Sequence, residues 1–492
     1  MNPTGELILV LDAGTTSTRA LAFDRSGACR AVAQQALAQH YPQPGWVEHD
    51  ADEIWASSLA CARDVVTQSG GADRFAGIGI TNQRETVVAW DKASGEPLYR
   101  ALVWQDRRTA AACDALRTAG HEAAVQQTTG LLLDPYFSAS KMRWLVDNVP
   151  AVAAAAGRGS LALGTVETWL VWKLTGGLFI TDASNASRTS LLPLVGASWD
   201  AGLCDMFGVP RGALAEVVDS AGRFDASLAE HFGSPIPITG LAGDQQAATV
   251  GQGCLAPGQT KATYGTGAFV LANAGHVPPR SRHRLLGTVL TQIAGKRSYA
   301  LEGSVFVAGS LIQWLRDSLG LIASAGETEA MARSVDDSGG VVILPALSGL
   351  GAPHWRPDAR AAISGLTFAT TRAHIVRAAL EAMALQTHDL AMAFAGDGAA
   401  WQTLRIDGGM SANDWMAQDL ADMLVLPVER PKFVETTALG AGMLAALGAG
   451  QFASLDDAAE AMRGPSQRFV PDMADVVRNA RLKAWGKALA AI

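Results

Sequence analysis

Two distant stretches of the chain share one grammar. "LILVLDAGTTSTRALAFD" covers residues 7–24 and "TKATYGTGAFVLANAG" covers residues 260–275. Each is an apolar run, a tip made of Gly and Thr, and a second apolar run. Only a tight turn separates the runs, so each reads as a β-hairpin. Weak two-residue alternation suits strands covered on both faces. Two such hairpins in 492 residues predict two similar α/β domains with a cleft between them, each a mixed sheet carrying helices.

The intervening sequence fits that plan. "GACRAVAQQAL" supplies a third strand to the first hairpin. Asp50 with Glu53 resembles a capping box, and Ile54, Trp55, Leu59, Ala62 and Val66 follow at helical spacing. "FAGIGIT", "TVVAWD" and "PLYRALVW" read as further strands. In the second half, "EGSVFVAGSLIQWLRDSLG" reads as a helix. Residues 371–394 read as a long helix opened by Thr371. "LRIDGGMSANDWMAQDLADML" reads as strand, glycine turn and helix, and "TTALGAGMLAALGAG" as a small-residue helix able to pack closely on a neighbour. The boundary is expected in "GQGCLAPGQ", giving domains over 1–250 and 251–492.

Composition narrows the partners. The net charge of -8 gives no reason to expect nucleic acid. Five scattered cysteines form no C-x-x-C pair and no metal-ligand spacing with the nine histidines, which suits a reducing compartment. No apolar run approaches the ~20 residues that span a bilayer, and the N-terminal segment has no signal-peptide pattern. The expectation is a soluble, cytoplasmic protein without membrane insertion.

Chemistry concentrates at the tips. Gly14 permits close approach of backbone N–H groups to an anion, and Thr15, Thr16 and Ser17 add hydroxyls. Arg19 can grip a phosphate, and Asp12, the acid of the turn, can hold Mg²⁺. Arg84 and Glu85 are adjacent at the end of an apolar strand, where neighbours point to opposite faces unless the chain bends. They read either as a surface ion pair or as part of a donor–acceptor set for a small polyhydroxy ligand. Asp244, after an apolar strand and a glycine, reads as a helix N-cap or as a base for a substrate hydroxyl. "DGGMSAN" is either a nucleotide approach or a turn capped by Ser411 or Asn413. His231 reads as a surface histidine.

Taken together, "DAGTTSTRA", "GWVEHDADEIW", "TNQRET", "VWQDRRT", "DPYFSASK", "GTVETWL", "TDASNASRT", "GDQQAA", "YGTGAF", "LEGSVFVAG", "LGAPHW" and "IDGGMSAN" resemble the FGGY family of carbohydrate kinases over residues 6–450. "TNQRET" with "DPYFSASK" resembles the members that phosphorylate glycerol. The resemblance implies two ribonuclease H-like domains of the actin, hexokinase and Hsp70 ATPase kind. It implies transfer of the γ-phosphoryl of ATP to the 3-hydroxyl of glycerol, with Mg²⁺, in a homo-oligomer (dimer or tetramer). A larger polyol or ketose as acceptor, or a non-catalytic actin-like protein, are the alternatives.

The resemblance also implies roles. Arg84 and Glu85 bind the glycerol hydroxyls, Trp104 and Phe269 wall its carbons, and Tyr136 and Gln245 add contacts. Asp244 is the base, which now outweighs its reading as a cap. Thr15, Thr16, Ser17, Arg19 and Thr266 serve the phosphates, Asp12 the metal, and Gly309, Gln313, Gly409 and Asn413 the nucleotide. Two departures stand out. Ala13 occupies a place where glutamine is expected in many members, and "HFGSPIPITG" lacks the arginine of the loop through which some bacterial members are inhibited by fructose 1,6-bisphosphate, so weak or absent inhibition is expected.

Overall fold

A computed structural model describes residues 5–356 and 358–492. Two sheets organise it. In the first, strands run in the order Ala221–Ala226, Pro237–Gly243, Phe75–Asn82, Leu7–Ala13, Ser17–Phe23, Cys29–Ala36. Leu7–Ala13 is antiparallel to Ser17–Phe23 and parallel to Phe75–Asn82, which is parallel to Pro237–Gly243. The second sheet runs Leu286–Ile293, Lys296–Val305, Ala268–Gly275, Gln259–Tyr264, Thr403–Asp407, Val428–Pro431, Ser466–Phe469. Gln259–Tyr264 likewise has an antiparallel hairpin partner on one side and a parallel strand on the other. Each hairpin of the sequence therefore lies inside its own sheet, and the two sheets share one strand order apart from Leu286–Ile293 at the edge of the second.

Leu7–Ala13 is buried along its whole length because both faces are covered. Leu7, Leu9 and Leu11 meet Ile54, Ala62 and Val65 of the helix Ala51–Gln68. Ile8 and Val10 point the other way, into Ala438, Ala441 and Ala445 of the helix Thr436–Gly448. That helix comes from the far end of the chain. The helix Leu455–Met462 joins it there through Ala458, Ala459 and Met462. A cut at 250/251 thus divides one core between two halves. The chain crosses to the second sheet at 259, returns at 436 to close the first, and crosses back with Ser466–Phe469 and the helix Asp475–Ala490.

Three local readings need correction. Asp50 caps its helix by accepting from Asp52 and Glu53 N–H at 2.9 and 3.2 Å, but Glu53 turns away to accept from Ala38 N–H at 3.0 Å. Residues 302–320 are not one helix: the strand continues to Val305 and the helix spans Gly309–Asp317. Glycine and β-branched residues in "EGSVFVAG" favour the strand. His231 is buried against Trp55 and Phe232, its Nε2 3.2 Å from the Lys173 carbonyl. Thr371 does open the long helix Arg372–Gly396, its N–H donating to His374 Nδ1 at 3.0 Å.

Candidate active site

The residues singled out in the first half leave the carboxyl ends of three adjacent parallel strands. Asp12 is in Leu7–Ala13, Arg84 and Glu85 follow Phe75–Asn82, and Asp244 follows Pro237–Gly243. Open α/β sheets gather ligand-binding groups at such ends. The second sheet does the same. Gly265 and Thr266 follow Gln259–Tyr264, and Gly408 and Gly409 follow Thr403–Asp407, with Thr263 paired to Asp407.

The bend that Arg84 and Glu85 required is present. Glu85 has φ 62°, so the strand direction breaks and both side chains point inward, 2% and 1% exposed. They are not a surface pair. Arg84 grips Glu302 with two N–H groups at 2.6 and 3.1 Å. Its Nε lies 3.2 Å from Asp244 and 3.9 Å from Glu85. Its remaining contacts are the Tyr136 hydroxyl at 3.2 Å and Gln246 Oε1 at 3.4 Å. Arg188 completes the network with Glu85 at 2.6 Å and Glu302 at 3.1 Å. Burial raises the Glu302 carboxyl, but the guanidiniums of Arg188 and Arg84 more than offset it and hold it at about 2. Removing one partner from so buried a network costs roughly 3–5 kcal/mol, because a charge is left unpaired.

Over this network stands an aromatic wall. Trp104 meets Tyr136 edge-on at 5.7 Å and Phe269 at 6.4 Å. Phe269 belongs to the second sheet, so the wall joins the two halves. Lys141, fully buried, donates to the carbonyls of Pro135, Tyr136 and Phe137 at 2.8, 2.7 and 2.9 Å and fixes the loop that carries Tyr136.

Asp244 is the first residue of the helix Asp244–Gly251, one place beyond the N-cap position, which Gly243 occupies. Its side chain is 30% exposed, in contrast with its partner Arg84. Burial raises its carboxyl above the ordinary aspartate range, and Arg84 and Lys261 act against that rise. Lys261 is buried, bonds Gln245 Oε1 and reaches Thr263 Oγ1 at 3.0 Å. Gln245 is thereby held beside Asp244.

The two glycine–threonine turns are less uniform. Thr15 Oγ1 accepts from the Trp104 indole at 3.0 Å, which ties the turn to the aromatic wall. Thr16 is exposed, and Ser17 Oγ accepts from Gln34 at 3.0 Å. Arg19 is engaged by Asp12 at 2.7 Å and by Glu435. The Ala13 methyl is buried in the first core, and its carbonyl accepts from Gln83 N–H at 2.8 Å. At the second tip, Gly309 N–H donates to Gly265 O at 2.8 Å, and Thr266 O accepts from Ala308 and Ser310 N–H. A Cβ on Gly309 would lie 2.5 Å from Gly265 O and 3.5 Å from Met410. The Thr266, Gly309 and Gly409 turns therefore meet at one place. Gln313 is exposed on the same helix as Gly309. Asn413 is the N-cap of Asp414–Leu424, accepting from Met416 N–H at 2.9 Å, and its amide donates to Thr328 at 3.1 Å.

Among the described residues no three His, Cys, Asp or Glu side chains gather to hold a metal. A cation at Asp12 would take most of its ligands from phosphates and water, which is how Mg²⁺ is commonly bound. Arg19 occupies only Oδ2 of Asp12, so the carboxylate fits that task.

Sequence reasoning missed Glu302, Arg188, Lys261 and Glu435. It also assigned no role to residues 182–188, which brace the whole site. Asn185 exchanges two hydrogen bonds with Asn82 at 3.1 Å, just before Arg84. Ser184 Oγ accepts from Gly243 N–H at 3.0 Å, just before Asp244. Ser187 meets Thr288 of the second sheet at 2.9 Å.

Residues 7–251 match the N-terminal domain of the FGGY family of carbohydrate kinases, and residues 260–449 match its C-terminal domain. A glycerol kinase from Dechloromonas aromatica is 52% identical over 489 residues, covering 98% of this chain and 97% of that protein. A glycerol kinase from Gluconobacter oxydans is 50% identical over 486 residues, covering 98% and 95%. The crystal structure of Plasmodium falciparum glycerol kinase with ADP superposes with a TM-score of 0.94 at 36% identity, covering 99% of this chain and 98% of that one. The chain belongs to the FGGY family of carbohydrate kinases.

Proposed function

We propose that the protein transfers the γ-phosphoryl of ATP to the 3-hydroxyl of glycerol, giving sn-glycerol 3-phosphate and ADP. The observation that carries this reading is the acceptor pocket. A partly exposed carboxylate, Asp244, lies beside a buried guanidinium, Arg84, under the wall of Trp104, Tyr136 and Phe269. Relatives of about half identity over nearly the full length are glycerol kinases.

Phosphoryl transfer asks for in-line positioning and charge neutralisation more than covalent chemistry. Arg84, Glu85, Tyr136 and Gln245 orient the glycerol hydroxyls, while Trp104 and Phe269 hold its carbons. The Asp244 carboxylate accepts the proton of the attacking hydroxyl, and its raised affinity for protons suits that role. The turns at Thr15–Ser17 and Thr266 bind phosphate oxygens. Gly309, Gln313, Gly409 and Asn413 receive the nucleotide, Gly409 with open space above its Cα. Arg19 holds Asp12 in place as the carboxylate for Mg²⁺. When bound, Mg²⁺ supplies neutralisation of the phosphate charge. Two domains with the first crossing between them at residues 251–259, a homo-oligomeric state and a cytoplasmic location complete the proposal; no helix among the described residues is long and apolar enough to cross a membrane.

Asp244→Asn tests the base. The expected outcome is a loss of about 10²- to 10⁴-fold in kcat with ATP binding intact. A kcat near wild type would sink the assignment. ADP release measured with glycerol, erythritol, ribitol and xylulose tests the acceptor, with glycerol expected to give the highest kcat/KM.

A further inference from the structure

We infer that Glu302 is the positioning residue that assembles the acceptor pocket across the two halves of the molecule. It lies in the strand Lys296–Val305 of the second sheet, between Leu271 and Leu286 on the neighbouring strands, and is wholly buried. A lone carboxylate there would be untenable. Its three bonds run to Arg84 and Arg188, both from the first half. Glu302 cannot follow those arginines independently. A Cβ on the next residue, Gly303, would meet Leu390 at 2.8 Å and Phe394 at 3.2 Å, so the strand is locked on the helix Arg372–Gly396.

The consequence concerns Arg84. Glu302 occupies both terminal nitrogens of that guanidinium and leaves Nε facing Asp244 at 3.2 Å. Without Glu302, the nearest partly free carboxylate is Asp244, and the guanidinium would turn its fork onto the proposed base. Glu302 therefore fixes Arg84 with one terminal nitrogen at Tyr136 and only Nε at Asp244, and keeps the fork of the guanidinium off Asp244. Because the hold comes from the second half, the pocket is complete only when the two halves meet as they do here. Nucleotide binding, which engages the second half, should then tighten acceptor binding through Glu302.

This inference rests on the glycerol reading above. The test uses the full chain with Glu302→Gln, which keeps shape, and Glu302→Asp, which keeps charge but falls one methylene short of both arginines. Calorimetry would give the Kd for glycerol with and without a non-hydrolysable ATP analogue, and the Kd for the analogue alone. The expected result is glycerol affinity at least tenfold weaker in both variants, analogue affinity within twofold of wild type, and a reduced tightening of glycerol by the analogue. Glycerol affinity within twofold of wild type would overturn the inference. So would an equal loss of glycerol and analogue affinity, or failure of both variants to fold, since each makes Glu302 a structural ion only. A wild type that phosphorylates xylulose and not glycerol would instead end the glycerol reading, and Glu302 would be judged on xylulose affinity in the same assay.

Discussion

The charge on Asp244 is contested by its neighbours. Burial favours the protonated carboxyl, while Arg84 and Lys261 favour the carboxylate. A base must be ionised, so the rate falls as pH drops through its pKa. Lys261→Met removes one of the two cations and leaves the other. The Asp244 pKa must rise, and the acidic limb of the kcat/KM profile should move to higher pH. An unmoved limb would show that Asp244 does not control it. Arg84, Glu85 and Asp244 stand out locally because each ends an apolar strand among polar neighbours, and the family resemblance supplies their proposed roles. Lys261, Arg188 and Glu302 do not stand out. Lys261 and Glu302 lie within strands, Arg188 follows a short buried helix, and the partners that make each tolerable lie 16 to 218 residues away in sequence.

Two helices carry the site from below. Asp244–Gly251 bears the proposed base, and Thr436–Gly448 crosses it so closely that side chains are excluded. A Cβ on Gly440 would lie 1.8 Å from the Ala247 carbonyl oxygen, and one on Gly251 2.0 Å from that of Thr436. The glycines and alanines of the second helix were readable as a close-packing surface. Its partner was not, since small residues state a distance and not an address. Gly440→Ala forces the helices apart and shifts Thr436, whose hydroxyl donates to Asp407 at 2.5 Å. A loss of about 3 kcal/mol is expected, the upper end for an overpacked core, read as a lowered Tm with kcat reduced as well. Gly409→Ala serves as the contrast, because nothing lies within 4 Å of its Cβ position. Its stability should stay within about 0.5 kcal/mol of wild type, while the KM for ATP rises. Equal Tm losses in the two variants would refute the packing argument.

At the scale of the whole molecule, sequence order and spatial order part company. Two hairpins of one pattern suggest two consecutive domains, and the hairpins at residues 7–24 and 260–275 do found separate sheets. The cover of the first sheet, however, comes from residues 436–462. None of the described residues before 251 covers Ile8 and Val10 in its place. Ile8, Val10, Leu21, Phe23 and Ala76, now at most 2% exposed, would face water on that side. An uncovered sheet face of that kind is an aggregation surface. A fragment of residues 1–250 should therefore fail to fold, precipitating or binding a hydrophobic dye with little near-UV circular dichroism. Joining residues 432–464 to its end through a flexible Gly/Ser linker should restore a soluble, cooperatively melting protein. A fragment 1–250 that melts cooperatively without that addition would show that the first sheet needs no cover from the second half. The crossing also gives the two halves a mechanical tie. Glu435 meets Arg19 just before the covering helix begins, so the segment that completes the first core is also the one that touches the carboxylate clamp at Asp12.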